Sequence, residues 1–155
     1  MIAVSDTSPL NYLALIGEIE ILPRIFTRVL IPPAVISELN HARTPPVVAA
    51  WTANLPSWVD VVPLGQAIEE AALGRGETEA IAVALQVCAD VMLIDERKAS
   101  VVARNHGLIV TGILGVLDIA AERGYVDLKA AVARLLQTNF RAAPAVIEEV
   151  LIRHR

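Results

Sequence analysis

Two kinds of apolar segment alternate along this chain, and that alternation constrains its fold more than any other feature. Short β-type runs occur at residues 2–5, 28–31, 58–62, 91–94 and 108–110, each bounded by turn or capping residues. Between them, apolar residues recur at helical spacing. Pro33 suits a first helical position, and Val35, Ile36 and Leu39 follow it as a narrow stripe. Gly76 precedes a helix with Ile81, Ala84, Leu85 and Cys88 at i, i+3, i+4 and i+7. Ala99, Val102 and Ala103 repeat the pattern, with Gly107 as a stop. Ile113, Leu114 and Leu117 begin another helix that Gly124 ends. Asp127 is placed to cap the stripe of Leu128, Val132, Leu135 and Leu136, and Pro144 opens a last helix with Ile147, Val150 and Leu151. Strands alternating with helices require a parallel sheet covered on both faces. The expected fold is α/β in three layers, one domain over residues 1–155.

With 155 residues the chain can bury a substantial core, and no repeat, low-complexity tract or Ser/Gly linker divides it. Its apolar content is 55%, yet no apolar run approaches the roughly 18 residues that a membrane span needs. The surplus is expected in buried strands, one-sided helices and an oligomer interface. The N-terminus reads as a strand and has no basic region before an apolar one, so no signal peptide is expected. Cys88 is the single cysteine, which permits no internal disulfide and fits the cytoplasm. Its place in the apolar stripe predicts an inert buried thiol. Charge is uneven: residues 1–96 hold 4 Lys/Arg against 12 Asp/Glu, and residues 97–155 hold 9 against 5. That asymmetry fits an acidic cation site beside a mildly basic surface, and equally an ordinary scatter of surface charge.

Ligands of parallel α/β sheets collect beyond the carboxyl ends of the strands. Asp6 directly follows the first run and Asp95 the fourth. Either alone reads as a helix N-cap; two in one short sheet point to a site. Glu77 lies four residues before Ile81, on the core-facing side of its helix. Glu79 falls on roughly the opposite side and reads as solvated, while Glu38 sits at the margin of the Val35–Leu39 stripe. Four converging carboxylates repel one another unless a cation joins them. An all-oxygen set without a Cys/His cluster selects Mg²⁺ or Mn²⁺ over zinc. Such a site binds phosphate oxygens and assists attack by water.

These residues, in this order, resemble the PIN-domain family of nucleases. The resemblance rests on Asp6-Thr7-Ser8 after the first strand, on Val35-Ile36-Ser37-Glu38-Leu39, and on Gly76-Glu77-Thr78-Glu79-Ala80-Ile81 followed by Leu93-Ile94-Asp95-Glu96-Arg97. The run from Thr111 to Leu117 and the Asn139-Phe140-Arg141 tail are also similar to a bacterial and archaeal subgroup. The resemblance implies a central parallel sheet of about five strands with helices on both faces. It gives the metal-site roles to Asp6, Glu38, Glu77 and Asp95, with Glu79, and more weakly Glu96, as rivals. Ser8 or Thr7 would orient Asp6 or a water. Relatives usually carry aspartate at the third position, so Glu77 is a longer substitute. The implied activity is Mg²⁺-dependent cleavage of RNA. Many such proteins resemble VapC-type toxins, which implies a small antitoxin partner and a homodimer.

Other residues carry less. His41, His106 and His154 are not spaced for zinc. Gly74-Arg75-Gly76 lacks the spacing of a phosphate-binding loop and reads as a helix start. Trp51 and Trp58 fit core packing better than stacking on a base. Arg97, Lys98 and Arg104 fit either phosphate contacts or a charged helix face. An aspartyl-phosphate phosphohydrolase is disfavoured, because position 8 is Ser where that chemistry uses a second Asp. A catalytically silent interaction module is the non-enzyme alternative.

Overall fold

The alternation is realised almost segment for segment in the computed structural model, which describes residues 1–154. Among these residues the strands are β1 (Ile2–Ser5), β2 (Arg28–Ile31), β3 (Val59–Val61), β4 (Val91–Leu93) and β5 (Val110–Thr111). All pair in parallel, in the order β3-β2-β1-β4-β5. The helices are α1 (Thr7–Leu15), α2 (Leu22–Ile25), α3 (Pro33–Leu39), α4 (Pro46–Ala53), α5 (Arg75–Gln86), α6 (Arg97–Asn105), α7 (Ile113–Glu122), α8 (Leu128–Leu136) and α9 (Pro144–Ile152). β1 and β2 match the expected boundaries. β5 is shifted toward its carboxyl end, because Leu108 belongs to the turn that closes α6: its N–H donates to Ala103 O.

Strand alternation sends neighbouring side chains to two separate cores. Ala3, Val29, Ile31 and Leu93 join one core with α1, α3, α7 and α8; Val4, Leu30, Met92 and Ile94 join the other with α5 and α6. That is the three-layer arrangement. Helix α4 is apolar on most sides, and the face of α1 opposite its buried Pro9, Leu10, Leu13 and Ala14 is only weakly polar, so neither shows a contrasted stripe in sequence. Trp51 and Trp58 pack against the first core with rings 6.1 Å apart.

Helix ends follow the stops read from sequence. Gly107 and Gly124 have φ of +86° and +74°, the left-handed conformation that ends a helix with minimal steric cost. At α5 the same turn is made by Cys88, with φ of 52°. Its N–H donates to Leu85 O, and the Ala89 N–H to Ala84 O. This corrects the buried-thiol expectation: the helix ends at Gln86 before the i+7 position is reached, and Cys88 is exposed.

Candidate active site

The strand order reverses between β1 and β4, which leaves a crevice at their carboxyl ends. Asp6 and Asp95 stand there. The Asp6 N–H donates to Leu93 O at 2.9 Å, fixing the end of β1 beside the end of β4. Asp6 is 4% exposed and occupies the N-cap position of α1, yet its side chain makes no capping hydrogen bond. Its Oδ1 is buried with no hydrogen-bond partner among the described residues. Asp95 uses Oδ1 to accept the Ile113 N–H at 2.8 Å, capping α7 from outside the helix, while its Oδ2 is buried and unpartnered. The N-cap reading therefore fails for both: Asp6 makes no cap, and Asp95 serves α7 while Glu96 is the N-cap of α6.

Burial without partners makes ionisation costly. The Asp6 carboxyl is pushed up to about 7, first by burial, against the pull of the Thr7 amide, and then by the charges of Glu77, Glu38 and Asp95. Burial likewise pushes Asp95 up to about 6, against the pull of the Ile113 N–H. Glu77 is also raised, first by burial and then by Glu96 and Glu38, while its hydrogen bond from the Gly74 N–H (3.0 Å) acts the other way. The side-chain contact with Glu96 adds to that rise.

Glu38 reaches the group from α3. The Thr7 hydroxyl donates to its Oε2. A Cβ on Gly76 would lie 2.5 Å from Oε2 and 2.6 Å from Oε1, so a glycine in the first turn of α5 leaves the room Glu38 occupies. Gly112 does the same for Asp95, whose Oδ1 would be 2.5 Å from an added Cβ. Ser8 and Tyr12 line the adjoining groove with Asp95, Glu96, Arg97, Phe140 and Arg141; its volume is about 580 Å³. The Tyr12 hydroxyl is raised by burial and then by Asp95, with Arg141 opposing.

Glu79 departs from the sequence reading. It is not solvated: its side chain is 15% exposed, Oε2 accepts from Arg75 Nε at 2.9 Å, and Oε1 accepts the Ala34 N–H at 3.3 Å. It neutralises a cation and caps α3, which starts on prolines and has no side-chain cap of its own. Glu96 caps α6 through the Ala99 N–H at 2.8 Å. Thr7, Gly76 and Gly112 shape the surroundings of these acids, and the sequence reading passed over the two glycines and gave Thr7 another role. Only Thr7 carried a signal, directly after the strand-end Asp6; Gly76 and Gly112 meet Glu38 and Asp95 through the tertiary fold alone. The histidines stay outside: His41 Nδ1 accepts from Arg43 N, His106 lies 3.6 Å from Glu70, and His154 bonds Asp118.

Five parallel strands in this order, with paired acids at the reversal and glycines cleared around them, agree with what the whole chain resembles. Residues 2–155 match the family model described as DUF3368: PIN domain. The chain belongs to the PIN-domain family. No curated protein matches it. Among solved structures it is similar to a PilT N-terminus domain protein, SSO1118, from the hyperthermophilic archaeon Sulfolobus solfataricus P2. The TM-score is 0.52 at 15% identity, covering 92% of this chain and 100% of that one. At that identity the likeness is one of fold.

PIN domains are generally nucleases that use divalent metals. Whether these residues suit such an ion is a question of donors and charge. In their present positions, no three His, Cys, Asp or Glu side chains among the described residues approach closely enough to hold a metal ion. The donor chemistry nonetheless fits one. Two buried carboxylate oxygens lack partners among the described residues, two further carboxylates press on Asp6, and all are hard oxygen ligands. Among the described residues, no helix is long and apolar enough to cross a membrane.

Proposed function

We propose that this PIN-domain protein is an endoribonuclease dependent on Mg²⁺ or Mn²⁺, cleaving RNA phosphodiesters with water to leave a 5′-phosphate and a 3′-hydroxyl. One observation carries the proposal: Asp6 and Asp95, adjacent at the strand-order reversal, each keep a buried carboxylate oxygen without a donor. Burying such groups is costly unless their charge is used. Asp6, Asp95, Glu77 and Glu38 would hold the metal, and Glu79 is left out because its charge is already spent on Arg75. A bound divalent ion supplies neutralisation of phosphate charge and lowers the pKa of water. The protein's own residues set the site. Thr7 orients Glu38, the Gly74 N–H orients Glu77, and the Ile113 N–H orients Asp95. Ser8 lines the groove beside Asp95, within the space a substrate strand would fill.

The test is RNA cleavage by the purified protein in Mg²⁺, Mn²⁺ and EDTA, with end analysis of the products. Cleavage that persists in EDTA overturns the proposal. A toxin role, with a small antitoxin partner in the cytoplasm and a homodimeric state, is the finer part of this reading. It predicts growth arrest on expression, relieved by a neighbouring small open reading frame, and a dimer mass in solution. One observation favours a silent interaction module instead, namely that no three acids yet converge on one point. A stable complex with a protein partner, and no RNA cleavage in either metal, would decide for that module.

A further inference from the structure

We propose that Arg141 grips a backbone phosphate of the substrate strand, in the groove that Asp95 shares with the segment joining α8 to α9. The inference rests on the nuclease reading and adds a binding residue to it. Asp95, Glu96, Arg97, Ser8 and Tyr12 line this groove together with Phe140 and Arg141. A phosphodiester chain with one phosphate at the acids has others a few ångströms on. Those need a cation that is not already neutralised.

Arg141 meets that need because the chain around it is fixed while its charge is left over. Phe140 is 6% exposed and meets the Tyr12 ring edge-on, with centroids 5.4 Å apart at 81°. The Tyr12 hydroxyl donates to Asn139 Oδ1 at 2.8 Å, and the Phe140 N–H donates to Thr138 Oγ1 at 3.1 Å. The guanidinium is then held by carbonyls: Nη1 donates to Phe140 O at 2.8 Å and to Thr138 O at 3.3 Å. Among the described residues no Asp or Glu forms an ion pair with it, although Asp95 and Glu96 line the same groove.

A guanidinium has five N–H donors in a planar fork. With Nη1 engaged by the backbone, Nε and Nη2 remain for two parallel bonds to one phosphate. A side chain ordered before the ligand arrives loses less freedom when it binds. Arg97 lines the same groove but has no such tether among the described residues, which makes it the weaker candidate.

The test uses the full chain and a fluorescein-labelled oligouridylate, with affinity read by anisotropy in Ca²⁺ across a salt series and cleavage read in Mg²⁺. Arg141→Ala should weaken binding about tenfold. It should also reduce the slope of log affinity against log salt by about 0.7, the loss of one phosphate contact on a single strand. A structural role alone would not move that slope. Arg141→Lys should keep the slope and lose part of the affinity, since an ammonium lacks the fork. If Arg141→Ala does not fold, the lysine variant carries the test, and affinity equal to wild type overturns the assignment. If wild type binds and cleaves while Arg141→Ala matches it in affinity and slope, the Arg141 assignment falls and the nuclease reading stands. If wild type neither binds nor cleaves, the nuclease reading falls and Arg141 falls with it.

Discussion

Two groups of acids in this protein have opposite surroundings. On α7, Asp118 lies 2.5 Å from His154 Nε2 and 3.3 Å from Arg153 Nη1, so each oxygen has a cationic or hydrogen-bonding partner supplied by the end of α9. At the strand-order reversal, Asp6 and Asp95 are more deeply set, lie beside further carboxylates, and keep one oxygen apiece without a partner. Asp118 is a carboxylate whose requirements the chain itself meets, and it ties two helices together. Asp6 and Asp95 have requirements that the chain alone leaves unmet. The difference teaches that an acid's function is read from what surrounds it after folding, and not from its being an acid.

Removing charge at each place should separate the two. Asp6→Asn and Asp95→Asn should each lower RNA cleavage on the order of 10³-fold, since several kcal/mol of metal-assisted stabilisation goes with the ligand. Initial rates in Mg²⁺ measure this, and Asp118→Asn should leave them unchanged. An equal loss in Asp118→Asn would break the comparison.

Stability should respond to pH with a definite sign. Asp6 is held near 7 and Asp95 near 6 in the fold, against 3.8 for an ordinary aspartate. A raised value means that the folded protein keeps its proton after the unfolded chain has lost it. Their contribution is therefore full below about pH 4 and is lost as pH rises through 6 to 7. In EDTA, Asp6→Asn should become more stable relative to wild type by a few kcal/mol between pH 4 and pH 8. Denaturant titrations at the two pH values measure it, and Mn²⁺ should narrow the gap at the higher pH by binding the ionised form. A gap that does not change with pH would mean that Asp6 is solvated after all.

Gly76→Ala sharpens the comparison without touching an acid. The added methyl meets the end of the flexible Glu38 side chain, which can swing aside. Stability should stay within about 1 kcal/mol of wild type, because alanine otherwise favours a helix. Cleavage should fall roughly tenfold, one pKa unit's worth of free energy, as Glu38 leaves its place. A wild-type rate in this variant would remove Glu38 from the site. The smallest effects belong to the tied acids. Glu79→Ala should cost about 1 kcal/mol through the lost cap on α3. Asp118→Asn should cost less than about 1 kcal/mol at moderate salt, as surface ion pairs do. Thermal melts rank the two.

Much of the fold was legible in order and type. The strand at residues 28–31, the stops at Gly107 and Gly124, and the cap at Asp127, which accepts the Ala130 N–H, are written in local pattern. The weakly contrasted helices α1 and α4 were not, because a stripe needs polar contrast to be seen. In the site, strand-end placement picked out Asp6 and Asp95, and helical phase separated Glu77 from Glu79. Phase gave the right separation with the wrong surroundings: Glu79 faces α3 and Arg75, not water.

The sequence by itself determined where the chain turns from strand to helix and which carboxylates stand at strand ends, since backbone preference and apolar period act over a few residues. Only the tertiary structure decided which acids are left without a partner. Thr7 meets Glu38 across 31 positions and Asp95 meets Ile113 across 18, so neither contact has a local period. Burial decided the rest. Asp6 and Asp127 both follow a strand or turn and precede a helix, but the Asp127 side chain caps its helix at an exposed bend, while Asp6 makes no cap and is enclosed beside three other carboxylates. The cost of ionising a group depends on everything packed around it, and that exists only once the sheet has its helices on both sides.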